Sequence, residues 1–138
     1  MGANWVEHVM WWHVYPLGFV GAPIRPEGRG GHEPHRLPAL EQWFDHLLDL
    51  GLNGLALGPV FSSTSHGYDT LDFFAVDDRL GDEADLVHLV GAARERGIRV
   101  LLDGVFNHVG RAHPWFADVE RQGQQSPYAG LFRIDWTG

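Results

Sequence analysis

Three polar side chains of different chemistry lie within one short stretch of the sequence: Asp103, Asn107 and His108. They follow an apolar run that we predict to be a β-strand, and parallel α/β proteins bind ligands at the carboxyl ends of their strands. A carboxylate, an amide and an imidazole at one rim could fix the hydroxyl groups of a sugar. The alternative is structural, because Asp103 could cap the loop and His108 could make a single structural hydrogen bond. The spacing alone leaves both interpretations open.

A second polar stretch, Ser62 to Tyr68, follows another predicted strand and carries further candidate binding residues. The structural alternative here is that Tyr68 is a core aromatic with a bonded hydroxyl. Asp69 and Asp72 would then be turn residues on a solvated loop.

The segment Gly31-His32-Glu33-Pro34-His35 contains side chains of the types that bind zinc. A catalytic zinc site needs three protein ligands with ordered partners behind them, and Pro34 interrupts a glycine-rich loop with no helix to fix the spacing. We therefore expect no zinc site there. Gly28-Arg29-Gly30-Gly31 lacks the flanking strand and helix of a phosphate-binding glycine turn, which disfavours an unrelated doubly wound binding protein.

The elements that must position these residues alternate between strand and helix. Short apolar runs predict three strands, and they cover residues 9–15, 52–61 and 98–105. A long loop, 18–38, follows the first strand. Helical spacing then predicts one buried face, formed by Leu40, Trp43, Phe44, Leu47 and Leu48. A second helix begins after Asp82 as N-cap and ends before Gly97.

Gly51 and Gly97 occupy matching places at two helix-to-strand junctions, so the chain repeats a βα unit. Such units with right-handed crossovers build a parallel sheet, which is either doubly wound or an arc of a barrel. The third strand is almost entirely apolar, which predicts a parallel strand covered on both faces. After Gly110 the pattern breaks into a short helix that ends near Arg121 and a polar patch, as expected of an excursion between strands.

The composition excludes several classes of function. Ten basic against 18 acidic residues give a net charge of -8, which argues against a nucleic-acid partner. The absence of cysteine excludes disulfides and thiolate chemistry. We also expect no membrane partner and a cytoplasmic location, because the first residues lack a signal sequence and no apolar run approaches about 18 residues.

The stretch Asp103-Gly104-Val105-Phe106-Asn107-His108 matches every fixed position of D-x-V-x-N-H, the third-strand motif of the α-amylase family of glycoside hydrolases. The chain resembles that family in two further segments. His66-Gly67-Tyr68-Asp69-Thr70-Leu71-Asp72-Phe73 is similar to the family's G-Y-D-x-x-D-[YF] segment, followed by Val76-Asp77 and Leu80-Gly81. Val14-Tyr15-Pro16 with Phe19 is similar to the end of the family's first strand. The three motifs occur in order.

The resemblance implies an α/β fold. Residues 1–110 would form the N-terminal third, about three βα units, of a (β/α)8 TIM barrel, and 111–138 would begin the domain inserted after strand three. By the same resemblance, Asp103 would hold the active-site arginine and the sugar, and His108 would bond a sugar hydroxyl at the cleavage subsite. Tyr68 would stack on that sugar, His66 would flank it, and Asp69 would grip a terminal glucose, as in some exo-acting members.

Asn107 matches a residue that supports this loop and binds calcium in many amylases. Calcium takes about six to eight oxygen ligands, and the sequence shows no carboxylate-rich loop around Asn107. We therefore expect neither a metal nor another cofactor.

Retaining glycosidases need two carboxylates about 5 Å apart, and in this family they follow strands four and five, which the sequence does not contain. Asp118, Glu120 and Asp135 lie in the excursion, outside the family's arginine-x-aspartate context. The resemblance thus implies part of an enzyme acting on α-linked glucosides such as maltooligosaccharides, and we expect the chain alone to be inactive.

The alternative is a non-catalytic piece that only binds saccharide or serves in an interaction. Three of the eight barrel strands would leave unpaired edges. We therefore also expect pairing with the remaining part of a barrel or self-association.

Overall fold

A computed structural model describes residues 4–25 and 35–137 and places three parallel strands at the centre. They are β1 (Trp11–Val14), β2 (Gly54–Leu57) and β3 (Arg99–Leu102), in the order β1-β2-β3. The register aligns Val14 with Leu57, and Leu57 with Leu102. The three predicted strands and their parallel arrangement are confirmed.

The strands are shorter than the predicted ranges. At one end of β1, the Met10 N–H donates to the Asn53 side chain at 2.7 Å instead of to a neighbouring strand. At the other end Pro16 follows, which has no N–H for a ladder, and it begins the short helix α1 (Pro16–Phe19) where a strand end and loop were predicted.

The first predicted helix consists of two parts. Leu37–Trp43 is a 3-10 helix, and α2 (Phe44–Asp49) continues it. Leu40, Phe44 and Leu47 are buried as predicted. The prediction is wrong for Trp43 and Leu48, which are 44% and 38% exposed. The 3-10 segment winds at about three residues per turn, which changes the direction of Trp43, and its ring packs against Phe19 at 5.5 Å.

The helix α3 (Glu83–Glu95) begins as the sequence predicts. The Asp82 carboxylate accepts from the Asp85 N–H at 2.9 Å, and the Asp85 carboxylate accepts from the Asp82 N–H at 3.0 Å. This capping box satisfies N–H groups that have no partner within the helix. Leu89 and Ala93 then pack in the core.

The two helix-to-strand junctions share one geometry, which confirms the predicted βα repeat. Gly51 and Gly97 have φ angles of 78° and 76°, the left-handed region that glycine enters without steric cost. The following N–H returns to the last helical turn in both cases, from Leu52 to Leu47 at 3.1 Å and from Ile98 to Ala93 at 2.9 Å. Each helix is thereby directed into its strand in the same way.

The core lies between the sheet and its helices, and β3 lies at the edge of this core. Leu55 and Leu57 of the central strand are fully buried, while Leu101 of β3 is 51% exposed. The predicted cover on both faces of the third strand is therefore wrong within the described residues. The physical reason is that the core packs on one face of the sheet, whereas Leu101 lies on the other face, in register with Ala56 and His13.

The segment after Gly110 is helical, with α4 (Pro114–Gln122) and two short 3-10 helices, Gly123–Gln125 and Ala129–Leu131. Trp115 stacks on Tyr128 with ring centroids 5.7 Å apart and planes at 17°. Among the described residues, no helix has the length and apolar character needed to cross a membrane.

The central strand supplies a stability test. We expect Leu55→Ala to lower the free energy of unfolding by about 2–5 kcal/mol, because truncation leaves a cavity in a fully buried site. The matched control Leu101→Ala removes a half-exposed side chain of β3 and should cost about 1 kcal/mol or less. Urea denaturation of both variants measures the difference, and equal losses would contradict this description of the core.

His113 supplies a pH test. Its ring is buried and its Nδ1 accepts the Trp115 N–H at the start of α4. Burial lowers the pKa of His113, with Asp72 opposing in part. The unfolded chain therefore binds the proton more tightly. The stability that neutral His113 contributes is fully present above about pH 6.5 and is lost as the pH falls between that value and the folded-state pKa.

His113→Asn keeps an acceptor at the helix start and removes this titration. We expect the free energy of unfolding of the unmodified protein to fall more steeply than that of the variant between about pH 7.5 and about pH 5. Parallel pH profiles for the two proteins would rule out a buried neutral His113.

Candidate functional site

The candidate residues occupy the loops at the carboxyl ends of the three strands. Asp103 follows β3 directly, and its N–H donates to the Leu57 carbonyl at 3.0 Å, so the ladder fixes its backbone. Tyr15 follows β1 at the same end of the sheet. The parallel register thus brings these loops to one rim.

The loop after β2 folds back as a small antiparallel excursion. Phe61 bridges Val76 and Ser63 bridges Thr70. Within its tip, Gly67 has a φ of 92°, a conformation that other residues rarely adopt. The turn that presents His66, Tyr68 and Asp69 is therefore built by backbone pairing.

A buried ion pair, which was not predicted from the sequence, holds this excursion. The Arg79 guanidinium meets the Asp77 carboxylate through Nε and Nη2, each at 2.7 Å, and both side chains are almost completely buried. Ser63 completes the cluster, because its hydroxyl donates to Asp77 at 3.1 Å and accepts from Arg79 at 2.8 Å. Three consecutive charged residues, Asp77, Asp78 and Arg79, between apolar Val76 and Leu80 were the available signal in the sequence.

The remaining Arg79 donors reach two separate loops. Nη1 donates to the carbonyls of Pro23 at 3.0 Å and Ile24 at 2.7 Å, and also to the Ser65 carbonyl. All five N–H groups of the guanidinium are therefore satisfied inside the protein. The cluster joins the loop after β1 to the loop after β2.

His66 is exposed, and one hydrogen bond fixes its main chain while another fixes its ring. The Tyr15 hydroxyl donates to the His66 carbonyl at 2.9 Å, and the Tyr68 N–H donates to His66 Nδ1 at 3.2 Å. Since Nδ1 is an acceptor in this arrangement, its 3.8 Å approach to Asp69 is not a hydrogen bond. Tyr15 is a further supporting residue that the sequence analysis placed only within a motif.

Tyr68 and Asp103 lie side by side across the two loops. Burial raises the pKa of the Tyr68 hydroxyl, and the negative charge and hydrogen bonding of Asp103 raise it further. The Tyr68 ring is nevertheless 39% exposed, and it lies 6.1 Å from the His66 ring between centroids. An aromatic face beside a carboxylate is therefore open to a ligand.

His108 closes the contact between the loops after β2 and β3. Its Nε2 lies 2.9 Å from the Tyr68 carbonyl. A carbonyl only accepts, so Nε2 carries the proton and Nδ1 is the acceptor of the neutral ring. Nearby, the Gly110 N–H donates to the Thr70 carbonyl at 2.8 Å. A Cβ at Gly110 would lie 2.6 Å from the Asp69 carbonyl oxygen, so this close approach requires glycine.

Asp69 has a clear structural bond as well as its candidate role. Its carboxylate accepts from the Ser65 N–H at 3.1 Å and from the Ser65 hydroxyl at 2.6 Å. Partial burial acts to raise the pKa of Asp69, but these bonds outweigh it and lower the pKa. Asp69 is therefore a negatively charged residue that closes the turn, with lone pairs left over.

An aromatic cleft of about 530 Å³ adjoins the site. Phe73, Phe106 and Trp115 contribute to its walls, and Asn107 and His108 lie at its edge. These apolar walls do not offer the six or more oxygen atoms that calcium takes. The residues that line this cleft beside Asn107 include no carboxylate.

One group of three side chains among the described residues could approach a metal: His35, Asp82 and Asp85. His35 pairs with Asp85 at 2.5 Å, and the two carboxylates already form the capping box of α3. These bonds account for the group without an ion. His32 and Glu33, the other zinc-type residues of the sequence, lie outside the described residues.

The carboxylates after Gly110 are bonded within their own segment. Asp118 accepts from the Ser126 hydroxyl at 2.7 Å, Glu120 lies 3.5 Å from Arg111, and Asp135 accepts from Thr137 at 2.7 Å. Tyr68, Asp103 and His108, by contrast, are brought together from two distant loops, with His66 and Asp69 in the same turn as Tyr68.

Comparison with known proteins assigns this arrangement to a family. The family model described as "Alpha amylase, catalytic domain" matches residues 37–136. The "Intracellular maltogenic amylase" of Bacillus subtilis (strain 168) is 37% identical over 95% of this chain and 24% of its own length. A "Cyclomaltodextrinase" of a Bacillus species is 39% identical over 94% of this chain and 26% of its own length.

Solved structures agree with these relatives. The ligand-free cyclic α-maltosyl-(1→6)-maltose hydrolase from Arthrobacter globiformis has 30% sequence identity and a TM-score of 0.75, over 95% of this chain and 33% of that one. The chain spans about a quarter of the length of the curated relatives it matches. Since the family model covers most of the chain, these 138 residues belong to the α-amylase family, as part of its catalytic domain.

Proposed function

We propose that this chain forms part of the substrate-binding wall of a retaining α-glucan hydrolase that acts on maltooligosaccharide-type substrates. Three relatives support the substrate class, since their names specify maltogenic amylase, cyclomaltodextrinase and a cyclic maltosyl-maltose hydrolase. The observation that carries the proposal is the convergence of Tyr68, Asp103 and His108 at one rim.

We assign residues 1–110 to the first three βα units of a (β/α)8 barrel. The parallel order β1-β2-β3 and the repeated glycine junctions support that assignment. We assign residues 111–138 to the start of a domain inserted after β3. The change from the βα repeat to α4 and the 3-10 helices supports this boundary.

Each candidate residue has a role that its chemistry can perform. The half-exposed Tyr68 ring offers an apolar face to a sugar ring, and His66 flanks the same face. The Asp103 carboxylate accepts from sugar hydroxyls, and His108 Nδ1 accepts another. Asp69 contributes charge and its remaining lone pairs, and we assign Asn107 to support of the loop.

The proposed contribution of these residues is binding and orientation rather than bond cleavage. Retaining hydrolysis uses a nucleophile and an acid/base about 5 Å apart. Asp103 lies against a tyrosine hydroxyl, and Asp118, Glu120 and Asp135 are bonded within their own segment. We assign neither catalytic role to any of them, so hydrolysis requires carboxylates from other sequence.

The same observations favour a second candidate, a saccharide-binding or interaction piece without hydrolytic activity. Only the first candidate includes hydrolysis of a saccharide by the whole enzyme, and both candidates include saccharide binding. We also propose an intracellular location, supported by the name of the Bacillus subtilis relative. For the partially open sheet, we propose pairing with further barrel strands or self-association, since Leu101 and Leu102 of β3 are exposed.

The binding role is tested by neutralising Asp103. We expect Asp103→Asn to weaken maltohexaose binding by at least about tenfold, equivalent to about 1.4 kcal/mol, because an amide replaces a charged acceptor. Isothermal titration calorimetry on the purified protein measures the dissociation constant. The matched control Asp135→Asn changes an exposed carboxylate bonded to Thr137 and should leave binding unchanged.

Two results would contradict the proposed function. Equal maltohexaose affinity for Asp103→Asn and the unmodified protein would contradict the assignment of the site. Release of reducing sugar by the 138-residue chain alone would contradict the assignment of this chain to binding without cleavage.

A further inference from the structure

The Asp77–Arg79–Ser63 cluster has no ligand-binding role in the proposed function. It nevertheless contains a buried charge pair that contacts the turn 63–68, called the binding turn below. Asp77 accepts from Arg79 at both carboxylate oxygens and from the Ser63 N–H at 3.1 Å. A buried charge pair is costly unless every partner is in place. The cluster therefore tolerates only one arrangement of the surrounding backbone.

Ser63 connects this cluster to the binding turn. Its hydroxyl donates to Asp77, accepts from Arg79, and also accepts from the Gly67 N–H at 3.0 Å. One donor and two acceptor positions are thus all used. Gly67 directly precedes Tyr68, so the hydroxyl of a buried serine fixes the peptide next to the exposed ring.

Tyr68 passes this constraint to the loop after β3. Its carbonyl accepts from Nε2 of His108 at 2.9 Å, while its N–H donates to His66. A small shift of the turn around Gly67 would move the carbonyl away from Nε2 and release the imidazole. The His108 ring is exposed, so water would then compete for both of its nitrogen atoms.

We propose that the Asp77–Arg79–Ser63 cluster is a positioning device for His108: it fixes the turn 63–68 so that the Tyr68 carbonyl holds the His108 proton on Nε2. Nδ1 is thereby the nitrogen offered to a sugar hydroxyl, and this step rests on the proposed function. Asp77, Arg79 and Ser63 are positioning residues because they act on the ligand only through Tyr68 and His108.

Ser63→Ala tests the device, and the chain contains a matched control. Ser126 is also buried, donates to an aspartate, Asp118, at 2.7 Å, and accepts a backbone N–H, that of Tyr128, at 3.1 Å. Ser126→Ala therefore removes one bond to an aspartate and one from a backbone N–H outside the binding turn, and it disturbs no arginine. We expect Ser63→Ala to lower the free energy of unfolding more than Ser126→Ala does, because it also leaves a buried Arg79 N–H without its serine acceptor.

The readout is the pair of ring nitrogen chemical shifts of His108, measured by two-bond ¹H–¹⁵N correlation above the pH at which histidine titrates and assigned with His108→Gln. We expect the unmodified protein and Ser126→Ala to show one tautomer, with the proton on Nε2. In Ser63→Ala, both shifts should move toward those of a free imidazole. Maltohexaose affinity should fall about tenfold, the lower end of the range seen when orienting partners of metal-binding histidines are removed.

Unchanged His108 shifts in Ser63→Ala, or a mixture of tautomers in the unmodified protein, would overturn the positioning role. If the shifts change as expected but the unmodified protein does not bind maltohexaose, the positioning role stands and the proposed function fails.

A second measurement covers the case in which Ser63→Ala does not fold. In the unmodified protein, we expect urea at concentrations below the unfolding transition to remove the protection of the Gly67 amide from hydrogen exchange. The single His108 tautomer should be lost at the same urea concentration. If the Gly67 amide lost its protection while His108 kept its single tautomer, the positioning role would be overturned.

Discussion

The guanidinium of Arg79 lies out of contact with water, and this fact constrains every loop around it. A buried charge has to be paired and fully hydrogen-bonded to be stable. Asp77, Ser63 and three carbonyl groups supply the partners, from two loops that follow different strands. The positions of these loops are therefore set by the hydrogen bonds that the Arg79 guanidinium requires. The polar excursion after β2 is ordered because its polar groups have partners inside the protein.

The sheet and the cluster place the site together. Parallel pairing brings Tyr15 and Asp103 to the same rim, and the cluster presents His66 and Tyr68 over it. The close approach at Gly110 then joins the two loops through the Thr70 carbonyl. The candidate binding groups thus come to one rim from distant parts of the sequence.

Local signals allowed a large part of this arrangement to be predicted from the sequence. The cap at Asp82 and the glycine ends at Gly51 and Gly97 depend on neighbouring residues, and the structure contains all three. The Asp103 to His108 stretch and the Tyr68 segment were also predicted to share one rim, and the structure places them in contact there. These features required no knowledge of contacts between distant segments.

Long-range contacts account for what the sequence did not predict. Arg79 binds carbonyls of residues 23 and 24, and nothing in the spacing of charges indicates such partners. Trp43 leaves the apolar face because the helix starts with 3-10 winding, which the side-chain pattern does not distinguish from α-helix. The exposure of Leu101 depends on which face of β3 the rest of the fold covers, and its apolar sequence indicated only burial.

We propose that Tyr68, Asp103 and His108 form one saccharide-binding surface. Titration of the ¹⁵N-labelled protein with maltohexaose, followed by amide chemical shifts, tests this proposal. We expect saturable changes in amide chemical shift at residues 66–69 and 103–108. The exposed last residues of α2 should show no change. Shifts confined to other surfaces, or no shifts at saturating sugar, would contradict the claim.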